Sequence, residues 1–110
     1  MKTGEFNILV AEFFGECQDI LDKATLDYAT ENDRLANFKE LAIILDTTPG
    51  EVLMVYFMKH LISIRNYYKG RQSNREDIRG RFKDAVNYLI LGLALVEEER
   101  DAKQGSSNLT

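Results

Sequence analysis

Apolar side chains recur every three or four residues along most of the chain, which is the spacing of one face of an α-helix. In the first such segment the apolar positions are Phe6, Val10, Phe13, Cys17, Ile20 and Ala24. The period is lost over residues 26–33, which are therefore predicted to form a connection. It returns in a shorter segment, at Leu35, Phe38, Leu41, Ala42 and Leu45. The pattern predicts a long first helix and a short second helix that ends near Asp46.

The start of a third helix is marked by the sequence Thr48-Pro49-Gly50-Glu51. Threonine is a favoured N-cap, proline fits the first helical position, and a glutamate three residues after the cap completes a capping box. From this start the third helix is predicted to run to about Tyr68 and to end at Gly70.

A second capping box, from Ser73 to Glu76, predicts a fourth helix that runs to about Arg100. The sequence shows neither a β-hairpin signal nor an internal repeat. We therefore expect an all-α fold, a four-helix bundle, with one helical domain over residues 1–102 and a flexible polar tail over residues 103–110.

The fourth predicted helix carries apolar side chains on two sides. The first stripe is Ile78, Phe82, Ala85, Leu89, Leu93 and Val96, and the second is Tyr88, Leu91 and Leu95. Residues 52–64 of the third helix are apolar nearly all round, interrupted only by Lys59, His60 and Ser63. Such helices are buried in a large core or in an oligomer interface, and 110 residues offer little core. A homodimer that completes the bundle is therefore expected.

Composition narrows the function classes. Hydrophobic residues make up 45% of the chain and charged residues 29%, as in a folded domain. The single cysteine, Cys17, excludes an intramolecular disulfide. Because no apolar run is long enough to span a bilayer and the N-terminus lacks a signal-peptide layout, we expect a cytoplasmic protein with no membrane partner. The net charge of −4 argues against direct binding to nucleic acid.

Charge is unevenly distributed along the chain. Residues 59–83 carry eight basic and two acidic side chains, whereas residues 1–58 carry four basic and eleven acidic ones. This basic segment has two interpretations. It is either a solvated surface that complements helix dipoles or a binding surface for phosphate groups.

Asp84 and Asn87 are the first candidate site residues. They are three positions apart, so they share a helix face, and that face continues as the second apolar stripe. A carboxylate on a buried face requires a cation, a metal or several hydrogen-bond donors. The pair either fixes the register of the helix or belongs to a site between helices.

Acidic residues on the first helix form the second candidate set. Glu16 and Asp19 share a polar strip beside the apolar stripe, and their oxygens suit a hard cation such as Mg²⁺. An ordinary solvated face gives the same pattern. With one histidine and one cysteine in the chain, a structural zinc site is excluded. His60 is then expected to be a hydrogen-bonded core residue, and Cys17, on the apolar stripe, to be inert.

The chain resembles a known family through several short motifs. They are Tyr28, Asp33-Arg34, Asn37-Phe38, Lys59-His60, and Arg81 with Asp84, Asn87, Tyr88 and Leu89. In this order they resemble small phage proteins of the nucleotide-modification-associated type. The last motif is also similar to a core helix of the all-α nucleoside triphosphate pyrophosphohydrolases, the MazG-like and dimeric dUTPase-like group. The resemblance covers residues 15–98.

The resemblance implies a dimer with a nucleotide pocket between helices and Mg²⁺ held by carboxylates. Carried over to this chain, it assigns the metal to Glu16, Asp19 and Asp84. It assigns the nucleotide to basic and amide side chains, namely Arg34, Asn37, Lys59, His60, Arg81 and Asn87. The chain departs from the pyrophosphohydrolase pattern at position 81, which is Arg where that motif has Glu.

Three functions remain open at this stage. The first is Mg²⁺-dependent cleavage of a nucleoside triphosphate between its α- and β-phosphates. The second is non-catalytic nucleotide binding in the same pocket, and the third is a helical module that docks on a partner protein. The guanidinium of Arg81 at a metal-ligand position favours the second function over the first.

Overall fold

The computed structural model describes residues 1–28, 33–71 and 77–108. These ranges contain four α-helices and no strand: α1 (Thr3–Tyr28), α2 (Ala36–Leu45), α3 (Pro49–Tyr68) and α4 (Ile78–Asn108). The all-α helical bundle expected from the periodicity is thereby confirmed.

Local signals in the sequence fix both ends of α3 and the end of α2. The hydroxyl of Thr48 accepts a hydrogen bond from the backbone N–H of Glu51 at 3.2 Å, and Pro49 opens the helix, as predicted. Asp46 adopts the left-handed conformation, with φ of 54°, and its N–H donates to the carbonyl of Ile43, which ends α2. The predicted cap Ser73 lies outside the described residues. At the start of α4 the N–H of Arg81 donates to the carbonyl of Asp77 at 3.1 Å.

Two helices are longer than the sequence pattern indicates. α1 continues to Tyr28, into the predicted connection, and α4 continues past Arg100 to Asn108, through most of the predicted tail. In α4 one exposed ion pair supports part of this extension. Lys103 lies 3.1 Å from Glu99, one turn away, and opposite charges at this spacing support a helix.

Removal of the Thr48 cap tests the start of α3. Replacing Thr48 with alanine is expected to lower the free energy of unfolding by about 0.5–2 kcal/mol, because the N–H of Glu51 loses its partner. Thr48→Ser keeps the hydroxyl and is the matched control. Denaturant titration of both variants measures the difference, and equal stabilities would show that the cap does not support α3.

α3 and α4 pack side by side in opposite directions. Along the pair Leu53 lies against Gly92, Tyr56 stacks on Tyr88, and His60 lies beside Asp84. α2 covers one side of this pair and completes the core. The buried core cluster is Leu35, Phe38, Ala42, Val52 and Leu53, with partly buried Leu41, Tyr56, Tyr88, Leu91, Ala94 and Leu95 packed against it.

α1 crosses α4 and is fixed to it by a buried contact. Cys17 is almost fully buried, and its carbonyl accepts a hydrogen bond from the side-chain amide of Asn87 at 3.2 Å. Burial also raises the pKa of the Cys17 thiol, so the thiol stays protonated and unreactive. A second link joins Glu16 of α1 to Arg79 near the start of α4.

The two apolar stripes of α4 have different environments. The second stripe, Tyr88, Leu91 and Leu95, packs against the core. The first stripe is buried at Ala85 but exposed in its C-terminal half, with Leu89 at 58% and Leu93 at 59% exposure. Gly92 explains why the second stripe, and not the first, packs against α3. A Cβ at this position would lie only 3.3 Å from the side chain of Leu53. The glycine lets α3 approach α4 on the side of the second stripe.

Candidate functional site

A cavity of about 410 Å³ lies between the four helices, and its size is typical of small-molecule sites. Its lining combines apolar, aromatic and polar side chains: Ile20, Leu21, Arg34, Asn37, Phe38, Leu41, Tyr56, Asp84, Asn87, Tyr88 and Leu91. Four residues predicted from the sequence, Arg34, Asn37, Asp84 and Asn87, therefore line the same space.

Tyr88 is the centre of an aromatic wall on this cavity. Its ring is parallel to that of Tyr56 at 6.0 Å, stacks on His60 at 5.3 Å, and meets the edge of Phe38 at 6.4 Å. Burial, together with the nearby charges of Asp84 and Tyr56, raises the pKa of the Tyr88 hydroxyl. The Tyr88 ring is thus uncharged at neutral pH, and the wall offers flat surface to a planar ring.

Arg34 brings a fixed positive charge to the cavity from the segment before α2. Its guanidinium donates to the carbonyl of Leu21 at 3.5 Å. The preceding residue, Asp33, forms a tight turn by accepting from the N–H of Leu35 at 2.9 Å and from the Lys39 ammonium at 2.7 Å. These bonds lower the pKa of the Asp33 carboxyl, and the hydrogen bond from the Lys39 ammonium has the largest effect. The charged turn therefore anchors the segment that presents Arg34.

Asn87 is a buried polar residue with one atom unsatisfied. The residue is 5% exposed, its Nδ2 donates to the carbonyl of Cys17, and its Oδ1 has no hydrogen-bond partner among the described residues. Buried polar atoms are nearly always paired, so each exception requires an explanation. Asn87 also lines the cavity, but its Oδ1 is shielded from solvent, so a bound molecule would contact other atoms of this residue.

Asp84, His60 and Arg81 form a polar cluster at one edge of the cavity. His60 Nδ1 lies 3.7 Å from the Asp84 carboxylate and 3.4 Å from the Arg81 guanidinium. The side chain of His60 is mostly buried, whereas that of Asp84 is 40% exposed. The neighbour of Asp84 on α3 is therefore an imidazole, which lies beyond hydrogen-bond distance. The cluster places donors and an acceptor beside the aromatic wall.

The three predicted metal ligands do not come together. Glu16 pairs with Arg79 at 2.8 Å and lies 4.0 Å from Lys83, and Asp19 is exposed, whereas Asp84 lines the cavity. The orientation of α1 is the reason. Cys17 faces α4, so Glu16 is turned by about 100° and Asp19 by about 200° around the helix.

Across residues 1–28, 33–71 and 77–108, no group of three or more His, Cys, Asp or Glu side chains is placed to hold a metal ion. The described residues therefore do not assemble the expected Mg²⁺ centre, and of the three predicted ligands Asp84 lines the cavity.

One further residue of the resemblance, Lys59, is not part of the cavity lining. Lys59 is exposed, and its ammonium lies 5.7 Å from the centre of the Tyr56 ring, within reach of a cation–π contact. Tyr28 is the last residue of α1, and its side chain lies outside the described part of the chain. Sequence reasoning missed Tyr56 as a site residue. The signal was available, because Tyr56 is four residues before His60 and so shares its helix face.

Comparison with protein families, with curated proteins and with solved structures finds no match for the chain. The site is therefore interpreted from its own residues. They combine an aromatic wall, one guanidinium inside the cavity and a second at its edge, two side-chain amides and one carboxylate.

Proposed function

We propose that this cavity binds a nucleotide, and that the chain is a non-catalytic nucleotide-binding protein. The observation that supports the proposal is the combination, on one cavity of about 410 Å³, of an aromatic wall with the cation of Arg34 and the buried amide of Asn87. A nucleotide has a planar heterocycle, polar edges and a strong negative charge. Each of these features has a counterpart in the lining.

The base of the nucleotide would lie against the wall around Tyr88. Aromatic and aliphatic side chains provide contact area for any base, and the amides of Asn37 and Asn87 can both donate and accept hydrogen bonds. The carboxylate of Asp84 accepts hydrogen bonds and suits sugar hydroxyls or exocyclic amino groups.

The phosphates would be bound by guanidinium groups. Arginine binds phosphate through charge-assisted, often bidentate hydrogen bonds. Arg34 lines the cavity, and Arg81 lies at its edge beside His60. Under this proposal the basic segment predicted to bind phosphate contributes Arg81 to the site. Other members of the segment are exposed on the surface, namely Lys59, Arg65, Lys69 and Arg71.

Hydrolysis is the weaker proposal. Cleavage of a nucleoside triphosphate by the pyrophosphohydrolase route depends on a cluster of carboxylates that holds Mg²⁺. Here Glu16 is paired with Arg79, and position 81 carries a guanidinium. We extend the proposal to a phage-type cytoplasmic protein on the basis of the sequence resemblance alone.

A thermal-shift panel tests the proposal. Nucleoside triphosphates and monophosphates in EDTA are expected to raise the Tm, since a ligand at 100 times its Kd stabilises the native state by about 2.7 kcal/mol. Nucleosides alone and inorganic triphosphate alone are the matched controls, and both should give smaller shifts.

Each other result has a defined meaning. Stabilisation that requires Mg²⁺ would support the enzyme instead of the binder. Absence of stabilisation by every nucleotide would contradict the proposal and would leave the protein-interaction module as the better interpretation.

A further inference from the structure

A second surface of the molecule is apolar and uncovered. It consists of six exposed side chains, which we call the α3–α4 face: Met54, Met58, Leu61, Leu89, Leu93 and Val96. All six are at least 42% exposed, although side chains of this kind are normally buried. These side chains lie on the apolar stripes of α3 and α4 that do not pack against the core.

Both halves of this face lie on the same side of the helix pair. On α3, Leu61 is one residue, or about 100°, past His60, which faces α4. On α4, Leu89 is about 100° past Tyr88, which faces α3. The two helices run in opposite directions, so a rotation of about 100° along each chain turns the two side chains towards the same side of the pair. Leu61 and Leu89 therefore lie on one side. α2 and the nucleotide cavity lie on the opposite side.

The exposed area of the chain exceeds that of a compact monomer. The accessible surface is 8387 Å², against roughly 6,200 Å² for a folded protein of this mass. The radius of gyration is 17.0 Å, against about 13 Å for a compact chain of this length. The excess of about 2,200 Å² is enough to supply one partner's share of an obligate homodimer interface, which buries about 2,000–5,000 Å² in total.

We propose that the α3–α4 face is covered by the same face of a second copy of this chain. A two-fold axis brings identical patches together, so one flat two-helix layer meets another and forms an intermolecular four-helix bundle. Between Leu89 and Val96 α4 carries no charged side chain, as expected for an interface core. On α3 the charged residue between Met54 and Leu61 is Lys59, which lies about 200° around the helix from Leu61 and so points away from the face. The apolar groove lined by Phe13 and Phe82 adjoins the start of the first α4 stripe and extends the contact surface.

A membrane is the competing occupant. In the described part of the chain no single helix is long and apolar enough to cross a bilayer, and only α2 and α3 taken together across a 103° bend pass that test. α3 and α4 bury one side against the core and expose the α3–α4 face on the other, which suits contact with the same two-helix layer of a second copy. Light scattering and vesicle binding distinguish a second copy from a membrane.

Light scattering after size-exclusion chromatography at micromolar concentration tests the proposal. The parent is expected at about twice 12.6 kDa. Leu93→Glu places a charge in the face and is expected to weaken self-association at least tenfold, shifting the mass towards that of one chain. Ile43→Glu, at an equally exposed position on α2, is the matched control and should keep the parent mass.

Cross-linking keeps the test decisive if Leu93→Glu fails to fold. Leu93→Cys with a flexible bismaleimide should give a covalent dimer, whereas Ile43→Cys should not. Cys17 is buried and does not interfere. A parent that runs as a single chain, a Leu93→Glu variant that folds and keeps the parent mass, or the reverse cross-linking pattern would overturn the proposal. A monomeric parent that co-sediments with phosphatidylcholine vesicles would assign the face to lipid.

Discussion

Replacing Phe38 with alanine is expected to lower the free energy of unfolding by about 3–5 kcal/mol, the usual cost of removing a buried aromatic ring. Phe38 is 8% exposed and belongs to the core cluster formed by α2 and α3. Its ring also supports Tyr88 edge-on, at 6.4 Å and 74°. The substitution therefore leaves a hole in the core and removes one side of the aromatic wall.

Denaturant titration at one fixed protein concentration measures this effect. Ile43→Ala, on the same helix, is the matched control because Ile43 is 81% exposed, and its cost is expected to stay within about 0.5 kcal/mol. Equal losses at the two positions would show that α2 does not pack on α3 and α4 through Phe38.

Replacing Arg34 with alanine is expected to weaken nucleotide binding by about 1.5–3 kcal/mol, or roughly 10- to 150-fold, which is the contribution of a hydrogen bond to a charged group. Arg34 is the guanidinium that lines the cavity. The free energy of unfolding should change much less, because its one described bond is a long one to a carbonyl, 3.5 Å from Leu21.

Isothermal titration of the parent and the variant with the same nucleotide measures the loss. Arg65→Ala is the matched control, since Arg65 is an exposed guanidinium on α3 outside the cavity lining. It should change the affinity by less than about threefold, through screened long-range charge alone. If both variants lose affinity equally, the nucleotide is held by general positive charge and not by the cavity.

The sequence was sufficient for those features that depend on local signals. The cap at Thr48, the end of α2 near Asp46 and the end of α3 before Gly70 are encoded by neighbouring residues and appear where predicted. The convergence of Arg34, Asn37, Asp84 and Asn87 was implied by the resemblance, and the structure places all four on one cavity. Whether they bind a nucleotide stays a prediction.

Features that depend on how helices are rotated against each other could not be predicted. Periodicity finds both stripes of α4, but it does not show that Gly92 lets Leu53 approach and so directs the second stripe into the core. In the same way, spacing places Glu16 and Asp19 on one strip of α1. Only the packing of Cys17 against α4 shows that this strip turns towards Arg79 and solvent.

Binding and assembly occupy different sides of the molecule under this account. The cavity lies on the side of α3 and α4 that α1 and α2 cover, and the α3–α4 face lies on the other. Each copy in the proposed dimer therefore has a complete cavity. Loss of the dimer and loss of nucleotide binding are consequently separable outcomes.

An amide-resolved NMR titration in EDTA tests the central claim most directly. Isotope-labelled protein is titrated with the nucleotide that gives the largest thermal shift. The account predicts saturable shifts that include the side-chain amides of Asn37 and Asn87 and the backbone around Tyr88, and that are lost in Arg34→Ala. Absence of saturable shifts, or shifts confined to the exposed basic residues Arg65 and Lys69, would contradict nucleotide binding in this cavity.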